Sequence, residues 1–261
     1  MHKWITLAAA IGMIGVTAAP ATHAAGASKN TTIVLVHGAF AGSSSWNPVI
    51  AELVREGYPV IAAANPLRTL KGDADYVARI VASVKGPVVL VGHSYGGGVI
   101  SMAAYGAANV KSLVFVAGFA PAAGESAGSL GEKFPTGTLG QALAPPVRQA
   151  DGAQDLYIQQ SKYWAQFAAD VPRAAAVEMA ATQRPILQGA LGEPAGPGAW
   201  KTLPSWFIWG SADKNIPAAL HAFMAKRANA KEAVEVKGAS HVVMISHPHD
   251  VAAMIERAAA Q

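Results

Sequence analysis

The stretch PVVLVGHSYGGGVI, residues 87–100, does most to limit what this chain can fold into. Its run of Val and Leu predicts a short buried strand. The run stops at Gly92-His93-Ser94-Tyr95-Gly96, and a helical pattern begins at once. A strand that turns directly into a helix forces the residue at its tip into a strained backbone conformation. The residues two positions to either side must then be small. G-x-S-x-G meets that demand and presents the Ser94 hydroxyl above the end of a sheet.

The same alternation runs through most of the chain. Strands are expected at residues 32–36, 59–63, 88–91, 112–116, 205–209 and 233–236. Helical patterns fall at 46–56, 73–84, 95–105, 217–226 and 248–258. Strands separated by helices imply right-handed βαβ units, hence an α/β fold with a mostly parallel, doubly covered sheet. The alternation lapses near residue 120 and resumes near 204. Residues 121–146 and 189–198 read as Gly/Pro/Ala-rich loops, and 154–169 and 174–182 as helices. An insertion of that length is expected to form a helical lid, about 121–200, placed after the Ser112–Val116 strand. Its aromatic residues Tyr157, Tyr163, Trp164 and Phe167 are expected to build the lid's own core rather than the wall of a site.

Residues 1–30 are of another kind. Lys3 supplies a basic start, an apolar run covers 4–19, Pro20 breaks it, and small residues lead to Thr22-His23-Ala24. This pattern predicts a secretory signal peptide over 1–24, cut after Ala24, leaving a 25–261 domain in the periplasm or the medium. The run is short for a membrane anchor, so no stable membrane insertion is expected after its removal. The chain has no cysteine, so neither disulfides nor an acylated cysteine can serve it outside the cell. Its net charge is +4, with Lys and Arg scattered rather than clustered. That distribution excludes a nucleic-acid stripe and leaves a small molecule as the expected partner.

Two further motifs read as structural. In His247-Pro248-His249-Asp250, Pro248 suits a first helical position, Ser246 or His247 can cap it, and further His or Cys ligands are lacking, so no metal is expected. Gly96-Gly97-Gly98 is followed by neither G-K-[ST] nor G-x-G-x-x-G, so no cofactor is expected there.

A serine hydroxyl needs a base to attack at neutral pH, and the base needs an orienting carboxylate. His241, in GASHVVM just past a strand, is the candidate base. Asp213, in GSADKNIP just past another, is the candidate acid, although it could instead cap the following helix. Both project from the sheet edge that carries Ser94, and the order Ser94, Asp213, His241 fits a catalytic triad. Glu125 is the second candidate acid. His93 is expected to point away from Ser94 and pack, His221 to lie mid-helix on the surface, and His37 to brace its loop.

HGAFAGSSSW, GHSYGG, GSADKNIP and GASHVVM together resemble the α/β-hydrolase superfamily. Within it they are most similar to the small serine esterases akin to plant methylesterases and hydroxynitrile lyases, and to their bacterial relatives. The resemblance covers about 31–258. It implies an α/β-hydrolase fold, a carboxylic ester substrate, and an oxyanion hole made by the backbone N–H groups of Ala39 and Tyr95. Tyr95 opens a helix, so its N–H lacks an intrahelical partner and sits at the positive end of the dipole. The lyases of this group carry a lysine after the catalytic histidine and a threonine beside the strand-end histidine. This chain has Val242 and Gly38 there, which argues against lyase activity. Ser94 excludes the aspartate-nucleophile mechanisms of dehalogenases and epoxide hydrolases. Lactonase, amidase, carbon–carbon hydrolase, cofactor-free haloperoxidase or perhydrolase activity stays open on the same triad, as does a ligand-binding role with vestigial turnover. The natural substrate and the oligomeric state also stay open.

Overall fold

The apolar runs pair side by side into one sheet with helices on both faces. The computed structural model describes Met1 and residues 29–261. The expected leader lies, but for Met1, outside the described residues. From β1 (Thr32–Val36) the chain passes through a 3-10 turn (Ser43–Trp46) to α1 (Asn47–Arg55) and β2 (Val60–Ala63). Next come α2 (Leu70–Ser83), β3 (Val88–His93), α3 (Tyr95–Ala103) and β4 (Val110–Val116). The insertion holds α4 (Ala127–Lys133), α5 (Leu139–Ala142), β5 (Val147–Arg148), β6 (Gln154–Leu156), α6 (Gln160–Phe167), α7 (Arg173–Thr182), β7 (Ile186–Leu187) and α8 (Gln188–Gly192). The chain then returns for β8 (Ser205–Gly210), α9 (Ala218–Arg227), β9 (Glu232–Val236), α10 (Val243–Ser246) and α11 (Pro248–Ala259).

The main sheet has the order β2-β1-β3-β4-β8-β9, and every pair in it is parallel. The interior strands β3 and β8 are buried at every position. Helices cover both of their faces, so their sequences run apolar without alternation. On one side α1 packs on α11, and α11 on β3, β4 and β8; α2 and α3 pack together, with α3 against β3 and β1.

Three local expectations need correction. Helix α2 starts at Leu70 rather than 73, because Thr69 Oγ1 accepts from Gly72 N at 3.0 Å and the Glu193 carboxylate accepts from Leu70 N at 2.6 Å and Lys71 N at 3.1 Å. Those bonds satisfy donors that would otherwise be orphaned in the first turn. Residues 154–156, read as helix, form β6, the middle of a three-stranded antiparallel sheet. Asp155 is fixed there by Arg68 Nη1 at 2.6 Å and Gln149 Nε2 at 2.9 Å. The lid is therefore helical with a small sheet, and α4, α5 and α8 occupy stretches that read as loop.

Strand order decides where a site can form. From β1 the chain goes outward to β2, then crosses to β3 on the other side of β1. Ligands bind outside the carboxyl ends of the strands at such a reversal. Val36 pairs with Gly92, so the loop after β1 lies beside the turn after β3. The approach leaves no room for side chains. A Cβ on Gly92 would sit 2.5 Å from Gly96 O, one on Gly96 2.5 Å from Val36 O, and one on Gly38 2.6 Å from the Ser94 Cβ.

Gly96→Ala is accordingly expected to cost about 3 kcal/mol in urea unfolding. Gly140→Ala, where an added Cβ meets nothing within 4 Å, is the control and should lose nothing. A Gly96→Ala protein as stable as the parent would contradict this packing.

Candidate active site

Ser94 stands at the tip of the β3–α3 turn with φ 54° and ψ −124°, a region that side chains rarely adopt. The surroundings hold it there. Its N–H donates to Val116 O at 3.3 Å, and its carbonyl accepts from Gly97 N and Phe119 N, each at 3.0 Å. Bonds to β4, α3 and the loop after β4 thus converge on one strained residue.

Asp213 follows β8, and its carboxylate is buried. Oδ1 accepts from Asn215 N at 2.8 Å and Ile216 N at 3.0 Å. Oδ2 lies 2.7 Å from His241 Nδ1. The aspartate thus shapes its own loop with one oxygen and meets the imidazole with the other. Since Nδ1 faces a carboxylate, it carries the proton, and Nε2 is the nitrogen free to act as a base. His241 itself is clamped: the Phe167 ring meets it edge-on at 5.0 Å and the His93 ring lies 4.8 Å away.

A third group reaches the same carboxylate. His221 Nε2 lies 3.3 Å from Asp213 Oδ2, and the residue is only 1% exposed. Its expected surface position is therefore wrong. Leu220, His221, Met224 and Ala225 form the buried face of α9, and that i, i+1, i+4, i+5 stripe was the available signal.

The remaining candidates separate clearly. His93 is buried, and its Nε2 meets the His241 carbonyl at 3.1 Å, bracing the His241 backbone from behind. His37 is buried and bonds through Nδ1 to Gly38 O at 2.9 Å, while Asn65 Nδ2 donates to His37 O at 3.0 Å. Both bonds brace the loop after β1. Glu125 is drawn elsewhere, to Lys133 Nζ at 2.7 Å, Arg227 Nη1 at 2.7 Å and Ala122 N at 2.9 Å. His247 caps α11 by position only, without a side-chain bond to the helix; its Nδ1 meets Ser246 Oγ at 2.9 Å.

Ser94, His241, Ala39 and Tyr95 border one cavity of about 180 Å³, walled mainly by Phe119, Leu139, Phe167, Leu191 and Ile216. Phe167 thus belongs to the cavity wall as well as to the lid core. Tyr163 instead donates its hydroxyl to Phe40 O at 2.8 Å, and Phe40 N donates to Arg184 O at 2.9 Å. That loop is held by the lid with Phe40 at φ 60°. Among the described residues the N–H groups of Ala39 and Tyr95 find no acceptor, so two donors at the cavity are left free. Tyr95 is anchored by its hydroxyl, which donates to the buried Asp73 Oδ2 at 2.8 Å.

A family model described as "Alpha/beta hydrolase family" matches residues 33–254. The chain belongs to that family. No curated protein matches it in sequence. Among solved structures, this hydrolase is similar to polyneuridine aldehyde esterase, at 18% identity and a TM-score of 0.75, over 88% of this chain and 99% of that one. It is similar to a pyrethroid hydrolase from Sphingobium faniae at 22% identity and a TM-score of 0.71, over 88% and 97%. An extracellular alpha/beta-hydrolase from a Paenibacillus species, described as homologous to tobacco salicylic acid binding protein 2, aligns at 21% identity and a TM-score of 0.72, over 87% and 98%. Likeness at these identities establishes the fold alone.

The electrostatics of the hydrolase site follow from burial. Burial alone would raise the Asp213 carboxyl, but the His241 and His221 rings facing it outweigh that and hold it well below the usual carboxylate range. Burial pushes His221 down, against the pull of Asp213, and pushes His93 far down, helped by His241. It pushes His37 down to about 4. Glu125 falls to about 2 because Lys133, the Ala122 amide and Arg227 together outweigh its desolvation.

Burial thus lowers the proton affinity of three histidines in the folded protein below that in the unfolded chain. The unfolded chain binds more protons as pH falls through about 6.5, so stability rises with pH across that window and is lost toward pH 4. For His37 alone the loss at pH 4 is about 3 kcal/mol. The melting temperature should fall steadily between pH 7 and 5, and calorimetry at pH 5 should register net proton uptake on unfolding. Unfolding without proton uptake at pH 5 would contradict this electrostatic account.

Proposed function

We propose that this protein is a serine esterase that cleaves carboxylic esters of small to medium size through an acyl-enzyme. The contact of His241 Nδ1 with Asp213 Oδ2 at 2.7 Å, on the cavity that Ser94 borders, carries the reading. His241 Nε2 takes the Ser94 proton as Oγ attacks the ester carbonyl carbon. Asp213 keeps the imidazole in the required tautomer and stabilises its protonated form. The carbonyl π electrons move onto oxygen, and the Ala39 and Tyr95 N–H groups receive that oxyanion; donors of this kind contribute a few kcal/mol to acyl transfer. Collapse of the tetrahedral intermediate breaks the bond to the alcohol oxygen, which leaves with the proton from His241. Water then attacks the acyl-Ser94 ester, again giving its proton to His241, and the acid is released as Ser94 regains a proton.

The mostly apolar cavity favours an apolar acyl or alcohol part, and its volume disfavours long chains. The polyneuridine aldehyde esterase to which the fold is similar supports ester cleavage over the other reactions this triad could run. We also propose export: the N-terminal leader pattern supports cleavage after Ala24 and a periplasmic or extracellular mature chain. Among the described residues no helix is long and apolar enough to cross a membrane.

Hydrolysis of p-nitrophenyl esters from acetate to decanoate tests the reading. Turnover should be greatest among the short and medium esters and decline by decanoate. Ser94→Ala should lower kcat by about 10⁴-fold or more while leaving the melting temperature near the parent's. Absence of turnover on every ester by a folded parent protein, or an active Ser94→Ala, would overturn it.

A further inference from the structure

His221 is not accounted for by the three-residue triad. It lies eight residues after Asp213, on the buried face of α9, and its ring stacks on the Trp209 indole at 5.6 Å with 20° between planes. Trp209, next to last in β8, donates through Nε1 to Glu235 Oε2 of β9 at 3.1 Å. The imidazole is therefore gripped between a helix and the end of the sheet, and its Nε2 faces Asp213 Oδ2 at 3.3 Å.

We infer that His221 is a positioning residue of the hydrolase: its Nε2–H donates to Asp213 Oδ2 and holds that oxygen where His241 Nδ1 meets it. The inference rests on the triad reading and adds a fourth member to it. The acid's two oxygens differ in how they are fixed. Oδ1 is tied by two backbone amides of its own loop. Oδ2 has no backbone donor among the described residues and accepts only from the two imidazoles. Without His221, the orientation of Oδ2 toward the base would depend on the base alone.

The chemistry of the donor matters as much as its place. A lysine or arginine here would cancel the carboxylate charge that must stabilise a protonated His241. A neutral imidazole orients the carboxylate and leaves its charge available. Burial disfavours the charged form of His221, against the pull of Asp213. A neutral ring facing a carboxylate with Nε2 must carry its hydrogen there. The groups facing it are Asp213, His241 and, across Trp209, Glu235.

Two measurements test this. In steady-state ester hydrolysis, H221M, apolar and of similar bulk, should lose about 10- to 100-fold in kcat with KM little changed, the size expected for a lost bond to a charged group. H221Q, which keeps an N–H donor, should recover to within about threefold of the parent. Full turnover in H221M, or H221Q as slow as H221M, would overturn the inference. Histidine ¹⁵N NMR on the unmutated protein provides a readout independent of variant folding: His221 should be the neutral Nε2–H tautomer at pH 7 to 8. An Nδ1–H tautomer, or a doubly protonated ring at pH 7, would overturn it. Ser94→Ala run alongside separates the two levels. An active Ser94→Ala would remove the triad reading itself, whereas an inactive Ser94→Ala beside a fully active H221M would remove only the role of His221.

Discussion

Close packing of backbone against backbone at the end of β3 is the constraint on which the rest of the structure depends. Gly92, Gly96 and Gly38 each lie where a single added carbon would stand 2.6 Å or less from a neighbouring atom. Because they have no side chains, the loop after β1 can lie against the turn after β3, and the helix can start directly at Tyr95. Two consequences follow. Ser94 is forced to a positive φ at the border of the cavity. The free N–H of Tyr95 and that of Ala39 come to the same cavity. Strain at one residue is sustained because hydrogen bonds from three neighbouring segments over-determine it.

The second requirement is a carboxylate that stays ionised out of water. Burying an unpaired charge is costly, so a buried carboxylate must be surrounded by donors. Asp213 has four: two backbone amides and two imidazoles. The lid contributes to the same end. Gln166 on α6 donates to Lys214 O at 3.1 Å and Asn215 Oδ1 at 3.0 Å, and so grips the acid loop. Tyr163 on the same helix holds Phe40 O. One lid helix therefore fastens both the acid loop and the loop that carries Ala39, which ties the geometry of the site to the seating of the lid.

What could be read from the sequence was what short-range chemistry writes into it. Ser94, Asp213 and His241 each end a recognisable apolar run, and the register of a parallel sheet then brings them to one edge. The expected strands match those observed to within two residues, because most of their positions are apolar. Non-local features were hidden. Nothing in Gln154-Asp155-Leu156 itself forecasts pairing with residues 147–148 and 186–187, and Glu193 reaches α2 from more than a hundred positions away. His221 was missed for another reason. A histidine within a helix reads as polar surface, and only its place on the stripe with Leu220, Met224 and Ala225 marks it as buried.

The central claim is that Ser94 is the nucleophile and faces two backbone donors. The most direct measurement is a crystal structure of the protein inhibited by a small alkyl fluorophosphonate, which phosphonylates an activated serine and mimics the tetrahedral intermediate. The account predicts one adduct, on Ser94 Oγ, with the phosphonyl oxygen within hydrogen-bond distance of both Ala39 N and Tyr95 N and with His241 Nε2 directed at the leaving-group side. An adduct on another residue, or a phosphonyl oxygen turned away from both amides, would contradict it.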